Sequence, residues 1–369
     1  MSDTRNMELV SGTYSLPVGP VHVALEEPVY FRLNLEGEIV RGVTITSGHV
    51  HRGMEGMATQ RNLFKNTTLV ERVCSLCSNS HSLTYCMVVE NVLGMEIPRR
   101  AQFLRVIAEE IKRIASHLFN VAIFGHNVGF ASWFLHLMEI REEMQDIKET
   151  IYGNRMNLSA NCIGGVKVDI DKGLAEYILT RLEKVEEATQ KALKIFSSDK
   201  IVNKRARGIG VLSKKDALAY GVVGPVARGS GVDNDIRSIT KYLVYPELNF
   251  NVILEKEGDV LSRALVRLRE IQESIGLIRQ CLDKMPEGPL TAPLPEIGER
   301  EAVARSEAPR GELIYFIRTN GTDTPARLKW RVPSYMNWEA LTVMMKDCQL
   351  ADVSVIVNSI DPCVSCTER

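Results

Sequence analysis

The residues best suited to chemistry are four cysteines in two C-x-x-C pairs. Cys74 and Cys77 stand in Arg72-Val73-Cys74-Ser75-Leu76-Cys77-Ser78-Asn79-Ser80-His81, and Cys363 and Cys366 in Asp361-Pro362-Cys363-Val364-Ser365-Cys366-Thr367-Glu368-Arg369. A C-x-x-C spacing lets both thiols face one point, and Pro362 restricts the backbone ahead of the second pair. Together the pairs offer four soft thiolates to a metal. A structural zinc ribbon uses the same ligands, but in pairs close in sequence. Here nearly the whole chain separates Cys77 from Cys363, so a shared site would tie the two ends of a domain together. Arg72, His81 and Asp361 also set charged or titratable groups around the thiols, which a sealed zinc site does not require. Catalytic soft-metal chemistry, structural zinc and unrelated free thiols are the readings the pairs leave open.

R-x-C-x-x-C-x-x-x-H near the front and D-P-C-x-x-C-x-x-R at the end resemble the motifs of the large subunit of nickel-iron hydrogenases, and more closely those of the energy-converting, membrane-associated class of the Ech type. The resemblance implies a nickel-iron centre whose iron carries carbon monoxide and cyanide, with Cys74 and Cys363 as terminal nickel ligands and Cys77 and Cys366 as bridges. In His49-Val50-His51-Arg52-Gly53-Met54-Glu55, the residues alone read as the polar start of a surface helix. The resemblance instead matches Glu55 to a proton-relaying glutamate, and a carboxyl near thiolates in a poorly solvated cleft is expected to have a raised pKa. Ala308-Pro309-Arg310-Gly311 matches a segment whose arginine hangs over the metals, which brings Pro309 and Arg310 to the site with Asp361 holding the guanidinium. Arg72 and His81 would orient sulfurs and cyanide.

The implied reaction is reversible heterolysis of dihydrogen, with Cys366 as the first base. The spare cysteines are too few for a relay of iron-sulfur clusters. The resemblance therefore implies a partner small subunit that carries them, ferredoxin as redox partner, and membrane subunits related to complex I and cation antiporters that couple the reaction to ion translocation. It places the chain on the cytoplasmic side of the cell membrane, peripheral and held by those partners. Gly19-Pro20-Val21-His22-Val23-Ala24-Leu25, Arg155-Met156-Asn157, Gly164-Gly165-Val166 and the loop Gly221–Gly231 resemble segments shared with the quinone-site subunit of respiratory complex I. A metal-free coupling subunit of that kind, or a structural zinc protein, is the alternative. Two residues depart from the hydrogenase pattern. Arg369 stands where most relatives have a metal-binding histidine, and Ser75 where glycine is usual.

The composition, 45% apolar and 25% charged over 369 residues, supports a sizeable core. A net charge of −1 without a long single-sign tract gives no reason to expect nucleic acid as a partner. No apolar run reaches the ~18 residues of a membrane span, and Met1-Ser2-Asp3-Thr4-Arg5 has no signal-peptide pattern. Without such a signal, eight cysteines argue for a reducing compartment. Cys86, Cys162, Cys281 and Cys348 read as packing residues.

The elements that must position these residues are mostly helices. Leu104, Ile107, Ile111, Ile114, Leu118 and Val121 form one stripe after Pro98, with Arg105, Lys112 and Arg113 expected on a solvated or partner-facing side. His117, His126 and His136 read as core or cleft histidines. Further helices are expected over Met138–Tyr152, Leu174–Phe196 and Val260–Leu282. The alternation of Val29, Phe31, Leu33 and Leu35, with a turn at Glu36-Gly37, predicts an N-terminal hairpin, and Leu313 to Val332 predicts a second around Asn320-Gly321. The glycine-rich loop Gly221–Gly231 lacks the lysine and serine of a phosphate loop and reads as a packing loop or subunit contact. A short helix over Asn337–Lys346 and a buried strand through Val353, Val355 and Val357 would deliver the terminal motif. The fold class is α+β: a mainly helical core bundle with N-terminal and C-terminal β-hairpins, resembling the hydrogenase large subunit. One integrated domain is expected, with an N-terminal β region (1–50), a helical core that includes the first pair (51–285), and a C-terminal hairpin, short helix and terminal motif (286–369).

Overall fold

The computed structural model describes residues 12–23 and 25–369. The first five residues, read above for a signal peptide, and Ala24 of the G-P-x-H-x-A-L segment lie outside the described residues.

The chain opens with an antiparallel sheet of β1 (Tyr14–Val18), β2 (Tyr30–Glu36) and β3 (Ile39–Thr46). The expected hairpin is β2–β3, turning at Gly37, and Phe31, Leu33 and Leu35 point into the core as their alternation requires. Next come α1 (Met54–Ala58), α2 (Leu63–Glu71), α3 (Ser78–Leu93), α4 (Arg99–Asn127) and α5 (Ala131–Tyr152). The two-residue strands β4 (Asn161–Cys162) and β5 (Gly165–Val166) precede α6 (Lys172–Ser198), α7 (Lys200–Ala206) and α8 (Lys214–Ala219). Two short helices, α9 (Gly224–Gly229) and α10 (Ile236–Ile239), lead to α11 (Val260–Lys284). The centre is a bundle in which α4 packs on α5 and α11, and α6 on the same two.

The three long helices follow their predicted stripes, and Pro98 caps α4. Arg105, Lys112 and Arg113, expected to be solvated, are buried. Each has local partners in place of water. Arg105 forks onto Glu90 at 2.8 and 2.6 Å, Arg113 pairs with Glu110 at 3.0 Å, and Lys112 bonds two carbonyls. His117 is a core histidine bonded to Glu270 at 2.8 Å and His126 is a cleft histidine, exposed but lining a cavity with Asn127 and Asn358, whereas the His136 side chain is 40% exposed beside Glu139.

The proline-rich stretch after α11 has no helix and only an isolated bridge, Thr291 to Gly165, that pins it to the Gly164-Gly165 turn. A second antiparallel sheet follows: β6 (Glu301–Ala308), β7 (Gly311–Arg318) and β8 (Arg327–Arg331). The sequence reading found β7–β8 and missed β6, whose alternation is interrupted by polar residues that are buried here, Ser306 and Glu307.

The expected helix over Asn337–Lys346 is instead two, α12 (Pro333–Asn337) and α13 (Leu341–Met344), and the expected final strand is a helix, α14 (Val353–Ser359). Val353, Val355, Ile356 and Val357 are all buried. An element covered on nearly every side leaves no periodicity to read. The chain closes with α15 (Val364–Glu368).

Candidate metal centre

The first C-x-x-C lies between α2 and α3, with Cys77 in the cap position of α3, so the positive end of that helix faces the sulfurs. The Cys77 amide donates to the Cys74 sulfur at 3.4 Å. The second pair arrives from the opposite end of the chain. After α14, Asp361 adopts a left-handed backbone (φ 55°), which turns Pro362 and Cys363 inward, and Cys363 caps α15. All four cysteines are buried. The sulfurs of Cys74 and Cys363 are 3.3 Å apart, and those of Cys74, Cys363 and Cys366 lie within 4.8 Å of one another.

Cys77 is tied to the group by Arg310, at the tip of the β6–β7 hairpin where Ala308 pairs with Gly311. Its Nη1 donates to the Cys77 sulfur at 2.9 Å, its Nη2 to Asp361 Oδ1 at 2.8 Å and its Nε to the Asp361 carbonyl at 2.8 Å. The hairpin tip is set by α9, where Gly224 and Gly311 meet backbone to backbone. A Cβ on Gly224 would lie 2.1 Å from the Arg310 carbonyl oxygen. The glycine-rich segment read as a packing loop is thus a short buried helix. Its Arg228 reaches Glu270 at 2.7 Å and Glu307 at 2.8 Å, joining α11 to β6. Pro309 is buried beside Arg310.

His81 stands behind the second pair, with Nε2 3.4 Å from the Cys366 sulfur and Nδ1 2.7 Å from the Tyr315 hydroxyl. Burial pushes its pKa down to about 4, so the ring is neutral near neutral pH. Among the thiols, Cys74 is the one driven to ionise. The thiols of Cys363, Cys366 and Cys77 donate to its sulfur, which outweighs burial, and Arg310 adds its field. Cys366 is pushed well up, first by burial and then by giving its hydrogen to the others. Four converging thiols, one already favoured as thiolate under a guanidinium, fit a soft metal centre. Asp361 Oδ2, buried and without a partner, leaves the canopy one acceptor to spare.

Two expected residues are placed differently. Glu55 bonds Lys329 and accepts from Arg369 Nε at 2.9 Å. Partial burial opposes its ionisation, but those two cations prevail and its pKa is lowered, opposite to the expectation. Arg72 is 47% exposed and pairs with Glu71 at 3.3 Å, and none of its hydrogen bonds goes to a sulfur. Besides Arg310, the arginine that serves both turns is Arg52. It donates to the carbonyls of Arg72 at 3.0 Å, Val73 at 2.7 Å and Ser365 at 3.0 Å.

Besides Asp361, the carboxylates at the site are Glu26 and Glu27, which the sequence reading passed over. Glu27 accepts from the Val364 amide at 2.5 Å, the Ser365 amide at 3.3 Å and the Ser365 hydroxyl. Glu26 accepts from Asn358 at 3.2 Å, and burial followed by the Asp361 charge raises its pKa to about 7. With Cys74, Cys363, Arg310 and Pro362, both line a cavity of about 210 Å³. Two adjacent acids just ahead of Pro28 and the first buried strand were the available signal.

Fold and site together define a chain whose buried thiols could hold a soft metal, in a site closed by the C-terminal turn beneath an arginine–aspartate pair. Residues 127–300 and 294–369 match the family described as respiratory-chain NADH dehydrogenase, 49 Kd subunit, and residues 52–121 match nickel-dependent hydrogenase. The chain is 58% identical over 359 residues to a carbon monoxide-induced hydrogenase of Rhodospirillum rubrum, covering 97% of this chain and 99% of that one. It is 38% identical to a membrane-bound hydrogenase subunit alpha of Pyrococcus furiosus (98% and 89% covered) and 35% to a subunit of the F(420)H(2) dehydrogenase of Methanosarcina mazei (98% and 99%). The chain belongs to the catalytic large subunits of nickel-iron hydrogenases, in the energy-converting class related to complex I.

Proposed function

We propose that this chain splits and forms dihydrogen reversibly on a nickel-iron centre held by Cys74, Cys77, Cys363 and Cys366, the iron carrying carbon monoxide and cyanide. The observation that carries the reading is the convergence of four buried thiols from the two ends of the chain, with Arg310 and Asp361 over Cys77. Bound there, such a centre would polarise dihydrogen, a very weak acid by itself, enough for a nearby base to take its proton.

The chain's own residues would do the rest. Cys366 accepts the proton at Sγ, beside the neutral His81 ring. Glu27, bonded to the Val364 and Ser365 amides just ahead of Cys366, and then Glu26 would receive it, and a carboxyl at about 7 both takes and releases protons near neutral pH. This replaces Glu55 as the relay, because Glu55 is held ionised by Lys329 and Arg369. Arg310 holds negative charge at the sulfurs, and Asp361 fixes its direction. His81 orients Cys366, and Pro309 stiffens the hairpin tip.

Electrons would leave through an iron-sulfur small subunit to ferredoxin, and membrane subunits related to complex I and cation antiporters would couple the reaction to ion translocation at the cytoplasmic face. Among the described residues no helix is long and apolar enough to cross a membrane. The test is metal analysis of the anaerobically purified complex, with infrared spectra where metal-bound carbonyl and cyanide absorb. Nickel, iron and those bands are expected, and are lost in Cys77→Ser and Cys366→Ser. Matured complex without nickel or bands overturns the reading, and one zinc per chain would make the site structural.

A further inference from the structure

Behind the hairpin tip that carries Arg310, one network of buried ion pairs joins β6 to α4, α9, α10 and α11. Arg113 pairs with Glu110 at 3.0 Å, and Arg237 reaches Glu110 at 3.3 Å and Asp235 at 2.7 Å. Arg228 reaches Glu270 at 2.7 Å, Glu307 at 2.8 Å and Asp235 at 3.6 Å. All seven side chains are at most 1% exposed, so water does not screen them. Among the described residues the network thus holds three guanidinium cations and four carboxyl groups. With every carboxyl ionised one negative charge is left over, and a buried charge without a partner is strongly disfavoured.

A proton on one member removes the excess. His117 is a poor holder, because its Nε2 already bonds Glu270 and its Nδ1 is buried without a partner, so a second N–H would point at nothing. Glu110 accepts from Tyr245 and Ser274 at 2.6 Å each besides its two arginines, and Asp235 takes both the Arg237 side chain and its amide. Glu270 has Arg228 Nε to itself. Glu307 must share Arg228 Nη1 with the Asn234 carbonyl at 2.9 Å and with Asp235, and its other oxygen has only the Ile236 amide at 3.1 Å. Glu312, opposite it in the sheet, is paired outside the network with Arg305 and Arg331. Burial, aided by the Asp235 charge, accordingly raises Glu307 to about 7, whereas at Glu110, Asp235 and Glu270 burial is outweighed by the arginines. The main chain of Glu307 is clamped as well: its amide donates to the Tyr242 hydroxyl at 3.2 Å and its carbonyl accepts from Arg113 at 2.6 Å. Arg310 follows three residues later.

We infer that Glu307 is a buried proton-binding site whose proton neutralises the network and closes the clamp on the strand that leads to Arg310. Release of the proton leaves the excess charge, and the tip loosens. Resting on the hydrogenase reading, Glu307 is a positioning residue whose proton governs how firmly Arg310 stands over Cys77.

The experiment compares wild type, Glu307→Gln and Asp235→Asn between about pH 6 and about pH 8. In the nickel-free full chain, infrared difference spectra across that window show the stretch of a buried protonated carboxyl, which E307Q lacks and Glu26→Gln keeps. D235N removes one negative charge and moves the loss of that band to lower pH. Amide exchange at residues 308–312, corrected for the intrinsic rate, speeds up several-fold with rising pH in wild type and stays slow in E307Q. In the matured complex, the ratio of E307Q to wild-type hydrogen-driven dye reduction rises several-fold over the window, which a merely structural role would not produce. The band persisting in E307Q, its titration unmoved in D235N, or wild-type exchange at the tip independent of pH overturns the inference. A constant activity ratio overturns the link to Arg310. Should E307Q fail to fold, wild type and D235N decide. If the wild-type complex lacks nickel and its carbonyl and cyanide bands, the hydrogenase reading fails, and the nickel-free chain still decides the role of Glu307.

Discussion

Arg310 makes three bonds in three fixed directions, two to Asp361 and one to the Cys77 sulfur. Lysine would keep the charge and lose that geometry. Arg310→Lys is expected to lower hydrogen-driven dye reduction about 100-fold while nickel is retained, in line with losing one preorganised donor. A nickel-replete variant turning over at the wild-type rate would remove Arg310 from the site. Glu26 gives a prediction with a sign. Its folded-state pKa is about 7 against an ordinary 4.5, so the folded chain holds a proton that the unfolded chain has released between those values. Stability then falls as pH rises through that window, by at most about 3 kcal/mol above it. Denaturation midpoints of the nickel-free chain should drop between about pH 5 and about pH 8, and Glu26→Gln should flatten that slope. At this scale the cysteine pairs were legible because both members lie within one turn. The state of Glu55 was not, because Lys329 and Arg369, which hold it ionised, lie at the far end of the chain.

Among the elements, α4, α6 and α11 were readable because each carries its apolar residues in one stripe along a long helix, with polar residues on the other side even where, as in α4, that side is buried too. The expected strand at Val353–Val357 failed for the opposite reason. Its β-branched residues favour a strand locally, but α14 packs on α4 and α11, and tertiary burial overrides that preference. The buried cations of α4 were misplaced because Glu90 lies on α3 and the Ser75 carbonyl in a loop, neither visible as a partner from helical spacing. The contact of α9 with the β6–β7 tip sets where Arg310 points, and it tolerates no side chain at Gly224, which also has φ of 68°. Gly224→Ala is therefore expected to destabilise the chain by about 2 to 4 kcal/mol, from backbone strain and overpacking together. It should also reduce nickel retention, because a displaced tip withdraws Arg310 from Cys77. Thermal unfolding and metal analysis on the same preparation check both. A stable variant with full nickel would show that the hairpin tip is not fixed by this contact.

For the molecule as a whole, the site requires the last residues to reach a turn near the first quarter of the chain. The terminal helix α15 has five residues, too few to be stable alone, so its position depends on what grips it. At its start Glu27 holds Val364 and Ser365, Trp338 Nε1 donates to Thr367 at 3.0 Å, and residues 50–55 grip its end. The Val50 amide donates to Glu368 at 2.6 Å, His51 Nδ1 lies 2.5 Å from the Glu368 carbonyl, and Glu55 accepts from Arg369. Arg52 bonds the backbone of both cysteine turns, through Arg72 and Val73 on one side and Ser365 on the other. Because Arg52 is exposed, its three bonds compete with water, and Arg52→Ala should cost only about 1–2 kcal/mol of global stability. Locally the effect should be larger, since these bonds link the backbones of the two turns directly. Amide hydrogen exchange at residues 363–368 should accelerate several-fold in R52A, and nickel should be lost faster to a chelator. Arg72→Ala, which removes only a half-exposed partner of Glu71, should leave both rates near wild type. Equal effects in the two variants would mean that the turns are held by the general packing of this region and not by Arg52.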